Sequence, residues 1–183
     1  MTQVDVNWVD AGISFLLLAG LLAGAYQGLL RQALLLGSVY ISTVLAAQYY
    51  RFVNDQLWYV FPNSDSAARA FASLALVFVV AFVILNWMSY TVYGNTRMPV
   101  LSIADLTGGA ALGLFSGWIL AVVVVAIVNY GLKVDWIGME STVWFARDQM
   151  SRSVFAPVLS SEIHRFAVAL RLWLPAGLPA PFA

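Results

Sequence analysis

Four long intervals of this chain carry no charged side chain. None lies between Asp10 and Arg31, Arg31 and Arg51, Arg69 and Arg97, or Asp105 and Lys133, leaving runs of about 20, 19, 27 and 27 residues. A helix rises 1.5 Å per residue, so roughly 20 apolar residues cover the hydrocarbon layer of a bilayer. Each interval is long enough for one crossing. Composition agrees, with 62% hydrophobic and 10% charged residues and a mean hydropathy of +0.84, far from the mix of a soluble domain. The chain reads as an all-α membrane protein. Its four transmembrane helices are expected at about residues 10–28, 33–51, 67–93 and 104–132, within one domain over 1–132. A tail over 133–183 follows, built of amphipathic, interfacial helices. No basic segment precedes the first apolar run, so that span is expected to be retained and not cleaved.

The same composition removes several function classes. Nine basic and nine acidic residues give zero formal net charge and no basic face, so nucleic acid is not expected as a partner. Cysteine is absent and His164 is the single histidine. That leaves no thiol nucleophile, no set of ligands for zinc and no serine triad with Gly-x-Ser-x-Gly. The chain is read as having no catalytic, cofactor or metal site and as not being an enzyme. A proton-coupled pump is not expected either, because ionisable residues inside spans mark such pathways and these spans carry only neutral polar groups such as Ser42, Thr43, Ser73, Ser116 and Asn129.

The last of the four runs opens Asp105-Leu106-Thr107-Gly108-Gly109 and continues with Gly113 and Gly117, while the first holds Gly12, Gly20, Gly24 and Gly28. A spacing of four stacks small residues along one helix face. In hydrocarbon, helices gain little by hiding apolar side chains from each other, and close backbone approach over small residues becomes a main source of tight pairing. Gly20, Gly24 and Gly28 with Gly109, Gly113 and Gly117 therefore read as a helix-packing seam. Two uses stay open: a face that joins copies into dimers or a channel, and packing of one subunit's helices on each other. Loops one and three of a four-span bundle share a side, so Arg31 and Asp105 form a candidate charge pair. Asp105 has a second role available as a helix cap.

Beyond Lys133 an apolar stripe runs through Trp136, Met139, Val143, Ala146, Met150 and Val154, opposite Glu140, Arg147, Asp148 and Arg152. Steps of three and four define one helix face, which Pro157 is expected to end. A second stripe passes through Leu159, Ile163, Phe166, Leu170 and Trp173. Such helices either lie in the membrane interface or dock on protein, and both readings stay open. Trp136, Trp144 and Trp173 are the expected interfacial aromatics.

Asp10, the turn Gly28-Leu29-Leu30-Arg31-Gln32, and Asp105 followed by Gly109, Gly113 and Gly117 resemble, in order and spacing, the colicin V production protein (CvpA) family of small bacterial multi-pass membrane proteins. The resemblance covers roughly residues 5–130. Gln32 stands where that family usually has Glu, and Leu106 where it usually has Arg. The resemblance implies a protein of the inner (cytoplasmic) membrane that serves toxin production or export, or envelope homeostasis, and small and polar span residues leave room for it to act as a homo-oligomeric channel or a scaffold. The alternative is a structural accessory subunit of a larger membrane complex. Expected partners are the lipid bilayer and either further copies or other membrane subunits. Orientation is indicated in opposite senses. Lys and Arg counts favour cytoplasmic termini, whereas relatives bearing a protease domain after the fourth helix imply termini outside. The reading leans to the latter, because Asp135, Glu140, Asp148 and Glu162 offset the tail's basic residues.

Overall fold

The computed structural model describes residues 7–60, 65–93, 102–134 and 140–170, and every element among them is a helix. In chain order these are α1 (Trp8–Gln27), α2 (Leu29–Val60), α3 (Ser66–Tyr93), α4 (Ser102–Leu132), α5 (Glu140–Arg152) and α6 (Phe155–Leu170). The first four are each long and apolar enough to cross a membrane, and two shorter helices follow them.

Helix α1 starts at Asn7, whose side chain accepts from the N–H groups of Val9 and Asp10, the usual service of an N-cap asparagine. It ends at Gly28, which alone separates it from α2. Gly28 has φ 86° and ψ 171°, a backbone region open almost only to glycine. One such residue reverses the chain, so α2 begins at Leu29 and not near residue 33. Nor does α2 stop near residue 51. It continues through Arg51 and Asp55 to Val60. Charges interrupt a hydrophobic run without interrupting a helix, since both types are good helix formers or tolerated there. The cations are accommodated on aromatic rings: Arg51 on Tyr50, and Arg69 of α3 on Trp58 at 5.5 Å.

The spans do not pack in chain order. Helix α4 lies broadly against both α1 and α2, and α2 against α3, while α1–α2 and α3–α4 contacts are slight. The result is a row, α1–α4–α2–α3, with α4 inserted between the members of the first hairpin. Burial follows from that position. Ala121, Val122, Val123, Val125 and Ala126 of α4 are all buried, and Val39 and Leu74 meet Val123 at the centre. The flanking helices instead leave apolar side chains outward, Phe15, Leu18 and Leu22 on α1 and Val79, Val83 and Trp87 on α3. In a bilayer such faces meet acyl chains at no cost.

Of the two interfacial stripes, α6 is docked. Leu159 is fully buried against Ile13, Ala121, Val122 and Val125, and Phe166 packs edge-on to Tyr40. Helix α5 buries no residue, and its Trp144 and Phe145 point outward at 73% and 54% exposure, while Met150 turns in towards the Ile13 cluster. Pro157 does not end α5. It stands in the first turn of α6, where its missing N–H has no helical acceptor to lose, and the break falls at Ser153 and Val154.

Candidate functional site

The glycines of α1 and α4 face each other in antiparallel register. A Cβ built on Gly20 would run into the carbonyl of Gly113, and one built on Gly113 into that of Gly20; Gly24 and Gly109 stand in the same reciprocal relation. At Gly113 the added atom would also lie 2.9 Å from the Gly24 Cα. Backbone thus meets backbone, with no room for any side chain. Gly117 is looser, its nearest neighbour being the Leu16 carbonyl at 3.0 Å, and Gly12 has nothing within 4 Å. Each four-residue step turns the ladder by about 40°, because a helix advances about 100° per residue. By Gly12 the row has rotated off the shared face.

At the Gly28 end, the seam closes on Asp105. Its Oδ1 accepts from the Leu29 N–H at 2.8 Å, so the carboxylate caps α2, not its own helix. A Cβ on Gly28 would fall 2.5 Å from the same carboxylate. The positive φ and the cap therefore require glycine twice over. Arg31 is not brought to Asp105. Its guanidinium lies 4.6 Å from the centroid of the Tyr90 ring on α3, and the two form no ion pair among the described residues. Two residues along a helix are about 200° apart, so a helix beginning at Leu29 presents Leu29 to Asp105 and turns Arg31 away.

Gln32, by contrast, turns inward. It is fully buried, and Ser116 of α4 donates to its Oε1 at 3.1 Å while its Nε2 has no partner among the described residues. The neighbouring polar groups are self-contained: Ser38, Ser42, Thr43 and Ser73 each donate to a carbonyl of their own helix. Assigning Gln32 to a turn hid this role. The signal available was the single Gly28, which allows so short a reversal that Gln32 falls in the first turn of α2.

The opposite end is tied by charged groups on α1 and α5. Asp10 accepts from the Ser153 hydroxyl and from the N–H groups of Val154 and Phe155 at 3.0 and 3.1 Å, and thereby caps α6. Arg147 donates from Nε to the Leu132 carbonyl at 2.9 Å, closing the C-terminus of α4. Gln149 joins α5 to the start of α1 through Asn7 and the Trp8 N–H. Each of the two aspartates that precede a glycine ladder thus reaches across to start a different helix. Trp144 is on the outer face of α5, and Trp136 and Trp173 lie outside the described residues. Among the described residues no cluster of three His, Asp or Glu is placed to hold a metal.

This geometry carries a first expected outcome. Asp105→Ala should cost about 1 kcal/mol, the usual value of a lost cap, in thermal unfolding of the detergent-solubilised chain, and Asp105→Asn, which keeps an acceptor oxygen, should retain most of it. Combining Arg31→Asp with Asp105→Arg should be no better than the worse single change. Recovery in the double variant would mean that the two charges meet.

A family model described as colicin V production protein matches residues 9–163. The match begins just before Asp10, contains both glycine ladders and runs beyond the expected residue 130, through α5 and into α6. Neither a curated protein nor a solved structure matches the chain.

Proposed function

The chain belongs to the colicin V production protein family, and we propose that within it this protein is a non-enzymatic membrane scaffold for toxin production or export, or for envelope homeostasis. The observation that carries the reading is the use made of the glycines. Both ladders are consumed in pairing α1 with α4 inside one chain, and the row is filled at its centre by Val39, Leu74 and Val123. The four-span row offers its outer apolar faces to neighbours, and among the described residues its centre is filled by side chains. Any conduit would have to form between chains. The flanking faces of α1 and α3 are the surfaces left for other membrane subunits or further copies, and the inner membrane is the setting we assign to it.

Reconstitution into liposomes tests this directly. Vesicles holding the purified chain at physiological salt should leak a trapped small dye no faster than protein-free vesicles. Native mass measurement of the same preparation in mild detergent should show no closed ring of copies. Leakage together with a ring would replace the scaffold by a homo-oligomeric channel.

A further inference from the structure

We propose that the cavity between α4, α5 and α6 is a binding site for a phosphate group, and specifically for the headgroup phosphate of an anionic phospholipid. The cavity has a volume of about 690 Å³ and opens where the last two turns of α4 meet the two short helices. Its lining is asymmetric in charge. Lys133 and His164 contribute nitrogen donors, Arg147 adds a positive charge whose Nε and Nη2 already bond the Leu132 carbonyl, Tyr130 and Ser160 contribute hydroxyls, and among the described residues no carboxylate lines it. Among the described residues, three acids of α1, α5 and α6 are engaged elsewhere: Asp10 on the start of α6, Asp148 with Arg152 at 2.9 Å and Glu162 with Arg165 at 3.0 Å. Cations and hydroxyls gathered around one space are the chemistry that holds phosphate.

The position in the fold selects lipid over a soluble ligand. Helix α1 has 20 residues, about 30 Å of rise, which matches the hydrocarbon thickness, so its first turn marks where the chain leaves the acyl layer. Asp10 in that turn holds the first residues of α6, which puts the α6 wall of the cavity at headgroup level. The floor is apolar, from Ala126, Met150 and Ile163, and suits the glycerol and upper acyl carbons below a phosphate. Basic pockets between membrane helices at this depth are a recurring form of lipid recognition. The site owes nothing to the scaffold reading above and stands if that reading fails.

The test uses the full chain in mild detergent, with native mass spectrometry to count retained phosphatidylglycerol against phosphatidylcholine. One Lys or Arg at the headgroup layer is worth about five-fold in binding, so Lys133 and Arg147 together should give a preference of roughly twenty-five-fold for the anionic lipid. Lys133→Gln should lower that preference about five-fold, and His164→Gln, made separately, should act in the same direction. Arg51→Gln removes an exposed charge of α2 that lies outside the cavity and stacks on Tyr50, and should leave the preference unchanged. Equal retention of the two lipids, or an equal loss from Arg51→Gln, would overturn the proposal. So would displacement of phosphatidylglycerol by millimolar inorganic phosphate, which would identify a site for the free ion.

Discussion

Gly113→Leu is expected to prevent recovery of a monodisperse folded chain. Even the first carbon of a side chain at this position would sit 2.9 Å from the Gly24 Cα and 3.0 Å from the Gly20 carbonyl carbon. Both are backbone atoms, which cannot rotate aside, so α1 and α4 would have to separate. In lipid no hydrophobic force resists that separation, because acyl chains replace the lost contacts. Gly113→Ala should already cost about 1–3 kcal/mol, the usual range for overpacking, and Leu more. Gly12→Ala and Gly37→Ala serve as references. Both sites are helical and have nothing within 4 Å of an added Cβ, so each should be neutral or more stable by up to about 1 kcal/mol, the helix-propensity gain. Unfolding titrations in mixed detergent compare the three. If Gly113→Ala were as silent as Gly12→Ala, the α1–α4 contact would not be what holds the bundle.

The second large effect is expected at Asp10. Asp10→Ala should release α6 while leaving the four spans assembled. The carboxylate takes one hydroxyl and two backbone N–H bonds at the start of α6, and hydrogen bonds to a charged acceptor are the stronger kind. A loss of about 2 kcal/mol is expected, which corresponds to roughly thirty-fold faster exchange of α6 amides with deuterated water. Amides of α1 and α4 around the glycines should be unaffected. Asp10→Asn, which keeps an acceptor but not the charge, should fall between. Unchanged α6 exchange in Asp10→Ala would mean that Leu159, Ile163 and Phe166 hold the helix by packing alone.

These two sites also show where the limits of sequence reading lie. Asp10 and Asp105 stand in equivalent places before their glycine ladders, but nothing local tells which helix each carboxylate will cap. Asp105 serves Leu29, 76 residues away, and Asp10 serves residues more than 140 away. A capping partner supplied from a distant segment leaves no periodic trace. Arg31 fails as a partner of Asp105 for a related reason. Parity places both on one side of the membrane, while the side chain's direction depends on where α2 begins, and that is decided by the backbone of Gly28.

What the sequence determined by itself was the set of elements and their solvent. Charge-free runs of bilayer length make four helices, since in hydrocarbon a backbone must satisfy its own hydrogen bonds, and a four-residue glycine period marks a close-approach face whatever its partner. Only the tertiary structure decided the partners. It paired the two ladders within one chain, inserted α4 between α1 and α2, turned Gln32 inward to Ser116, and sank α6 rather than α5 into the bundle. Periodicity reports which face of a helix is apolar or small. It does not distinguish lipid from protein as the material covering that face, because to an apolar side chain the two are nearly alike.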